Sequence, residues 1–386
     1  MVRFRRVALF IVLIFLCALV YRIVSRKYYV WLPGYAESLT HRETARSGPI
    51  HIFFFYADHF EPGSNFEMVQ RWLKDYPQFA QRHRDSAGRP LQHTWFYPGE
   101  QPIDKNLLAL KTLTAAGYGE VELHLHHFND TQDSARRRFA QAIAWFQKFG
   151  FLKGVDGRTH FAFVHGNWSL DNSLGPALCG VNRELRMLKE LGCFADFTFP
   201  SAWQASQPSW VNNIYEVTDD DHPKSYDHGV PLALGWHPTG DLLLVQGPLM
   251  LIPSWNPARL FFSLEDGDIH PAVPLTPRRV DAWVRADIHV TERPDWIFIK
   301  VHGHAASSRG DLEETLGPDF DRSLDYMERR YNDGTHYLLH YLTAREAYNL
   351  IRAAADNRHG DPTQYFDYVI PPYLAGQREV TSAAGH

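Results

Sequence analysis

From Ile50 to Asn357, short apolar runs of β type alternate with amphipathic stretches of helical period, and this alternation constrains the fold more than any other feature. The residue pattern predicts strands over 50–56, 93–98, 121–127, 160–166, 194–200 and 295–304. It predicts helices over 66–83, 106–117, 134–150, 182–192, 280–290 and 343–357, the second and third closed by glycine. Alternation of this kind builds βα units around a parallel sheet or barrel, so the expected class is α/β. Parallel α/β architectures gather their sites at the C-terminal ends of the strands. Polar clusters stand at four such ends: Asp58-His59, His124-Leu125-His126-His127, His165-Gly166-Asn167-Trp168 and His302-Gly303-His304.

The clusters carry a definite chemistry. Glu122, His124 and His126 alternate along one strand and therefore share a face. A row of carboxylate and imidazole on an inner face is costly unless it binds something. His126 and Asp130 stand four apart and chelate one ion if a helical turn begins there. Asp58, from the first strand, would complete a two-histidine, one-carboxylate set with open positions. That set suits zinc or another divalent first-row ion acting on bound water. The bland alternative is a solvated edge strand with surface histidines and Asp58 as a cap. Glu61 is either a second carboxylate of the site or a cap for the helix starting near Phe66. His302 ends the buried run WIFIKV, a place for a general acid, while His304 falls in a turn. Asn167 and Trp168 are candidates to line a substrate groove. Asp171 and Asn172 read equally as loop residues.

Composition narrows the partners. A net charge of −5 offers no basic footprint for nucleic acid. Eleven Trp and 18 Tyr suit stacking on sugar-like ligands as well as core filling. Three cysteines exclude a disulfide scaffold and leave a Cys179–Cys193 pair open. The mean hydropathy of −0.34 excludes a polytopic membrane protein. One apolar run, 7–21, lies between Arg3, Arg5, Arg6 and Arg22, Arg26, Lys27. It is expected to be an uncleaved signal anchor over 1–27, with a cleaved signal peptide as the competing reading. The expected organisation is then a stalk over 28–49, a catalytic domain over 50–357 with a Pro- and Trp-rich insert at about 203–278, and a tail over 358–386. The protein is expected to be single-pass, its domain outside the cytoplasm on the periplasmic or extracellular face.

In chain order, FFFYADHFEP, GEVELHLHHFND, FAFVHGNWS, LKELGCFADFTFPSAW and IFIKVHGHA resemble the motifs of the polysaccharide deacetylase family, the metal-dependent carbohydrate esterases. The resemblance covers roughly residues 50–305. It implies a distorted (β/α) barrel, a divalent metal that is often zinc, and hydrolysis of N- or O-acetyl groups on an envelope or exported polysaccharide. It implies Asp58 as a metal ligand and His302 as general acid. The metal histidine is His124 in the register set by Glu120, or His126 in the register set by Asp130. The family's catalytic base stands where this chain has Ala57, and His59, Glu61 or Asp196 are the substitutes at hand. Two other readings share these residues. One is an amidohydrolase-type metal hydrolase built on His124-Leu125-His126. The other is a non-catalytic glycan-binding or assembly protein on the same fold, favoured by Ala57 and the aromatic insert.

Overall fold

The computed structural model describes residues 2–40, 46, 48–256 and 262–376. The strands are β1 (Ile50–His59), β2 (His93–Pro98), β3 (Gly119–Leu125), β4 (Phe161–His165), β5 (Cys193–Asp196), β6 (Ile214–Val217), β7 (Gly229–Pro231) and β8 (Leu242–Val245). They continue as β9 (Met250–Pro253), β10 (Phe262–Glu265), β11 (Asp268–Ile269), β12 (Trp296–Gly303) and β13 (Tyr337–Leu342). An 11-stranded sheet runs β11-β12-β1-β2-β3-β4-β5-β8-β6-β7, with β13 also paired to β1. Its central strands are parallel, while β6 is antiparallel to β7 and β8, so the sheet is mixed and curls into a half-barrel. This is a barrel-like α/β fold.

The helices are α1 (Val2–Ser25), α2 (Leu32–Thr40), α3 (Phe66–Arg82), α4 (Asp104–Ala115), α5 (Gln132–Gln147) and α6 (Glu184–Leu191). After them come α7 (Pro277–Ala286), α8 (Arg309–Thr315), α9 (Pro318–Tyr331) and α10 (Ala344–Ala355). Capping chemistry sets several starts: Asn65 accepts from the Met68 amide before α3, and Thr131 and Thr343 form capping boxes before α5 and α10.

β1 organises the barrel. It lies beside β12 along His51–Asp58, and its lower part, Ile50–Phe55, also pairs with β13. Its upper end, Ala57–His59, pairs with β2. Such a strand is buried on both faces, which is why it reads as a continuous apolar run. Phe54 and Tyr56 point to the outer helix layer, where they meet Trp283 and Phe320. Phe55 points to the concave face and meets Phe197 edge-on at 5.7 Å. Period two therefore puts Ala57 and His59 on the concave face and Asp58 on the helix side.

α10 lies against the concave face near the strand starts. Arg345 Nε donates to Glu120 at 2.8 Å, Thr94 accepts from the Ala344 amide, and Tyr348 packs on Phe194. Glu120 thus serves this lower layer and Glu122 accepts from the Ala162 amide and the Tyr373 hydroxyl, while His124 stands at the mouth. Of the row expected from the sequence, Glu122 is thus turned to interior partners, while His124 and His126 reach the mouth.

All six expected strands and six expected helices form, with ends moved by a few residues. α8, α9 and β13 lie outside the expected set. The Ser/Gly-rich leader 306–310 hides the onset of these elements, and β13 draws its place from pairing with β1. Within the expected insert, β8 pairs with β5 and β6 with β8, so this stretch extends the main sheet. Residues 28–40 pack on the domain: Tyr28 and Trp31 are fully buried, and the Trp31 indole donates to Ala202 O. The tail beyond 358 places Ile370 and Tyr373 in the core, and 377–386 lie outside the described residues. α1 is a single exposed N-terminal helix long and apolar enough to cross a membrane, a property signal sequences share. Cys17, Cys179 and Cys193 are all free thiols.

Candidate metal centre

The ends of β1, β3 and β12 bring His59, Glu61, His124, His126 and His304 together at the mouth of the concave face. Ligand atoms of His59, Glu61 and His304 lie within 4.8 Å of one another, as do those of Glu61, His124 and His126. Glu61 belongs to both sets, with Oε1 at 3.2 Å from His124 Nε2 and 4.0 Å from His304 Nε2. The His59 ring lies 5.0 Å from that of His124 and 4.7 Å from that of His304. Side-chain exposures of 21% for Glu61, 21% for His126 and 31% for His304 leave the cluster open on one side.

The tautomers follow from the partners. His124 Nδ1 sits 2.7 Å from Val164 O, which only accepts, so Nδ1 carries the proton. Nε2 faces the Glu61 carboxylate oxygen. It is buried and lacks an aligned hydrogen-bond partner. A metal ion or a proton between the two atoms, 3.2 Å apart, would satisfy both. His126 repeats the pattern, because its Nδ1 donates to Glu100 Oε1 at 2.9 Å and frees Nε2. A carboxylate behind an imidazole orients histidines that hold metals. The donor set is imidazole nitrogen and carboxylate oxygen, which suits zinc and related divalent ions.

The electrostatics agree. Burial pushes the Glu61 carboxyl up, but contact with His124 and the fields of His124, His126 and His304 outweigh it and hold it below its ordinary value. Burial, then repulsion from His304, His124, His302 and Lys300, drives His59 well below the ordinary imidazole range. Burial with Lys300, His304 and Arg279 does the same to His302. Burial also lowers His304, against the pull of Glu61 and Asp58. These rings are neutral at pH 7, the state that ligates or accepts a proton. His126 goes the other way: burial lowers it, but the Glu100 bond and the charges of Glu61 and Glu100 raise it further.

Several expected residues take other places. Asp58 is a correction: it points into the helix layer, where Oδ2 pairs with His93 Nε2 at 2.9 Å and Oδ1 accepts from the Ala305 amide at 2.8 Å. Strand parity separates it from His59, and among the described residues it joins no metal-sized group. It braces the turn that carries His304 instead. Asp130 is also turned away from His126, lying 2.8 Å from Arg138 Nε and 3.4 Å from His127 Nδ1. Asp196 is held by the Thr198 amide and hydroxyl, and burial raises its carboxyl to about 6. Asn167 donates to Cys179 Sγ at 3.0 Å and faces away. Trp168 reaches the site, 5.5 Å from the His59 ring and 5.8 Å from that of His304, with an indole N–H that has no partner. It holds φ at +54°, a costly conformation for a bulky residue and one concentrated at functional sites. His302 lies beneath the cluster, its ring 6.5 Å from that of His59. Ala57 faces the concave side with no group to offer. Glu100, from the loop after β2, was not among the expected residues; nothing in its local sequence marks it.

No protein-family model and no curated protein matches the chain. Among solved structures it is similar to the Xyl-CE4 domain of a multidomain xylanase from the hindgut metagenome of Trinervitermes trinervoides, with a TM-score of 0.33 and 10% identity over 78% of this chain and 90% of that one.

Proposed function

We propose that this chain is a membrane-anchored, metal-dependent hydrolase that removes acetyl groups from an envelope or exported polysaccharide. The observation that carries the reading is the cluster around Glu61: its Oε1 lies 3.2 Å from His124 Nε2, a buried nitrogen without an aligned hydrogen-bond partner, and within metal-sized reach of His59, His126 and His304. His59, Glu61, His124, His126 and His304 would hold the ion. A divalent ion there supplies Lewis acidity toward an acyl oxygen and a water of lowered pKa. His302, neutral and buried below the cluster, takes the proton from the attacking water and returns it to the departing amine or alkoxide. This double duty meets the lack of a carboxylate at Ala57. Trp168 offers the ring face on which a sugar stacks. α1 and the packed segment 28–40 hold the mouth at a fixed place relative to a membrane.

Lys300 argues against the amidohydrolase alternative. Its Nζ is drawn to Phe197 O and Phe199 O, and it does not reach the cluster. Ala57 favours the second reading, a glycan-binding protein without turnover. Acetate release separates the two. The full chain in detergent, stripped of metal and reloaded with zinc, is expected to release acetate from N- or O-acetylated oligosaccharides, and His302→Gln to lose release while still binding zinc. Reloaded protein that binds these oligosaccharides and releases no acetate overturns the hydrolase and leaves the binding protein.

A further inference from the structure

His126 and His127 are consecutive, and the extended chain sends them to opposite sides of the sheet. His126 joins the mouth, whereas His127 enters the helix layer and meets His165, from the end of β4, and Glu184, the first residue of α6. All three are buried, with 0% side-chain exposure. One ligand atom from each lies within 4.8 Å of the others. His165 Nε2 is 2.9 Å from Glu184 Oε1 and 3.1 Å from Oε2. His127 Nε2 is 3.6 Å from the same Oε1.

We infer that His127, His165 and Glu184 form a second, sealed metal site that takes zinc and staples β3, β4 and α6 together. His165 Nδ1 lies 2.7 Å from Gly166 O, so it carries a proton and leaves Nε2 to face the Glu184 carboxylate. A proton shared between His165 and Glu184 would satisfy that pair alone. It leaves His127 stranded: neither of its ring nitrogens has a hydrogen-bond partner, though the side chain is fully buried. An ion among the three satisfies Nε2 of both rings and the carboxylate at once. Nδ1 of His127 then faces Asp130 at 3.4 Å, and the Asp171 amide donates to Glu184 Oε2 at 2.7 Å, two contacts of the kind that orient ligands. Two imidazoles and a carboxylate suit zinc, and burial on all sides makes the site structural. It is independent of the reading of the mouth.

The test uses the full chain in detergent carrying Glu61→Ala, His124→Ala and His126→Ala, which breaks both sets of the mouth and leaves every residue of the buried site in place. After stripping and reloading, this protein is expected to retain one zinc more than it does with His127→Gln added. X-ray absorption at the zinc edge should show two imidazoles around that ion, and zinc should raise its unfolding temperature by about 4 °C. If His127→Gln does not fold, the absorption spectrum and the temperature shift of the first protein decide alone. A Glu61→Ala/His124→Ala/His126→Ala protein that binds no zinc, or whose unfolding temperature zinc does not move, overturns the inference. Equal zinc in that protein and in the wild type removes the mouth reading and leaves the buried site standing.

Discussion

Gly166 tests the geometry of the mouth without replacing any of its candidate ligands. It follows β4 and lies against the β3 end. A Cβ added there would stand 2.5 Å from Leu125 O and 2.7 Å from His126 Cδ2. Ordinary contact needs about 3.5 Å, so Gly166→Ala must move the Leu125 carbonyl or the Gly166 turn by about 1.0 Å and the His126 ring by about 0.8 Å. Coordination tolerates about 0.2 Å. Misplacement on the order of 1 Å costs a positioned group up to about 100-fold. We therefore expect zinc affinity at the mouth to fall by about 10- to 100-fold, with acetate release falling alongside. Overpacking should cost about 1–3 kcal/mol of stability, which leaves the protein folded. Competition against a chromophoric chelator measures the affinity, and denaturant unfolding measures the stability. Gly310→Ala is the control, because its Cβ meets nothing closer than 3.6 Å. Unchanged zinc affinity in folded Gly166→Ala would refute His126 as a ligand in this geometry.

Asp58→Ala should leave zinc stoichiometry at the mouth intact while weakening affinity about 10-fold through the loosened His304 turn. It should also cost about 3–5 kcal/mol, because His93 is left buried without its partner; elemental analysis and unfolding read the two effects, and loss of the ion would restore Asp58 as a ligand. Burial lowers Lys300 to about 7 from its ordinary 10.5. The unfolded chain then holds the extra proton between those values, so stability rises with pH through that window, by about 2 kcal/mol from pH 7 to 9 for this group. Lys300→Met should abolish that increment in denaturant titrations compared at the two pH values, and an identical pH slope in both proteins would count against the shift. Trp168→Ala should raise KM for acetylated oligosaccharides about 10-fold, the loss of roughly 1–1.5 kcal/mol of ring contact, and leave zinc binding unchanged. An unchanged KM would remove the stacking role.

Much of this was legible in the chain. Turn glycines, caps and the alternating periods placed the strands and helices of the half-barrel, because those signals are local. The polar strand ends pointed to the mouth, and His124, His126, Glu61, His302 and Trp168 do assemble there. The row Glu122-His124-His126 was legible as one face, but not its levels: Glu122 is held by Tyr373 in the interior, while His124 and His126 reach the mouth. Facing was the part that failed. β1 is apolar on both sides, so nothing in FFFYADH says whether His59 or Asp58 looks inward, and the family likeness favoured the wrong one of the two for the mouth. The alternation of 121–127 does part His126 from His127, but the second cluster needs His165 and Glu184, which only the fold brings to the His127 side. Glu100 was invisible, since a loop glutamate gains meaning only from the imidazole it meets. The sequence by itself determined which residues end the strands and what chemistry they carry, because helix and strand periods and side-chain identity are local properties. Only the tertiary structure decided which of them face one another, because that depends on the curl of the sheet and on α10 and the helix layer taking the two sides of it.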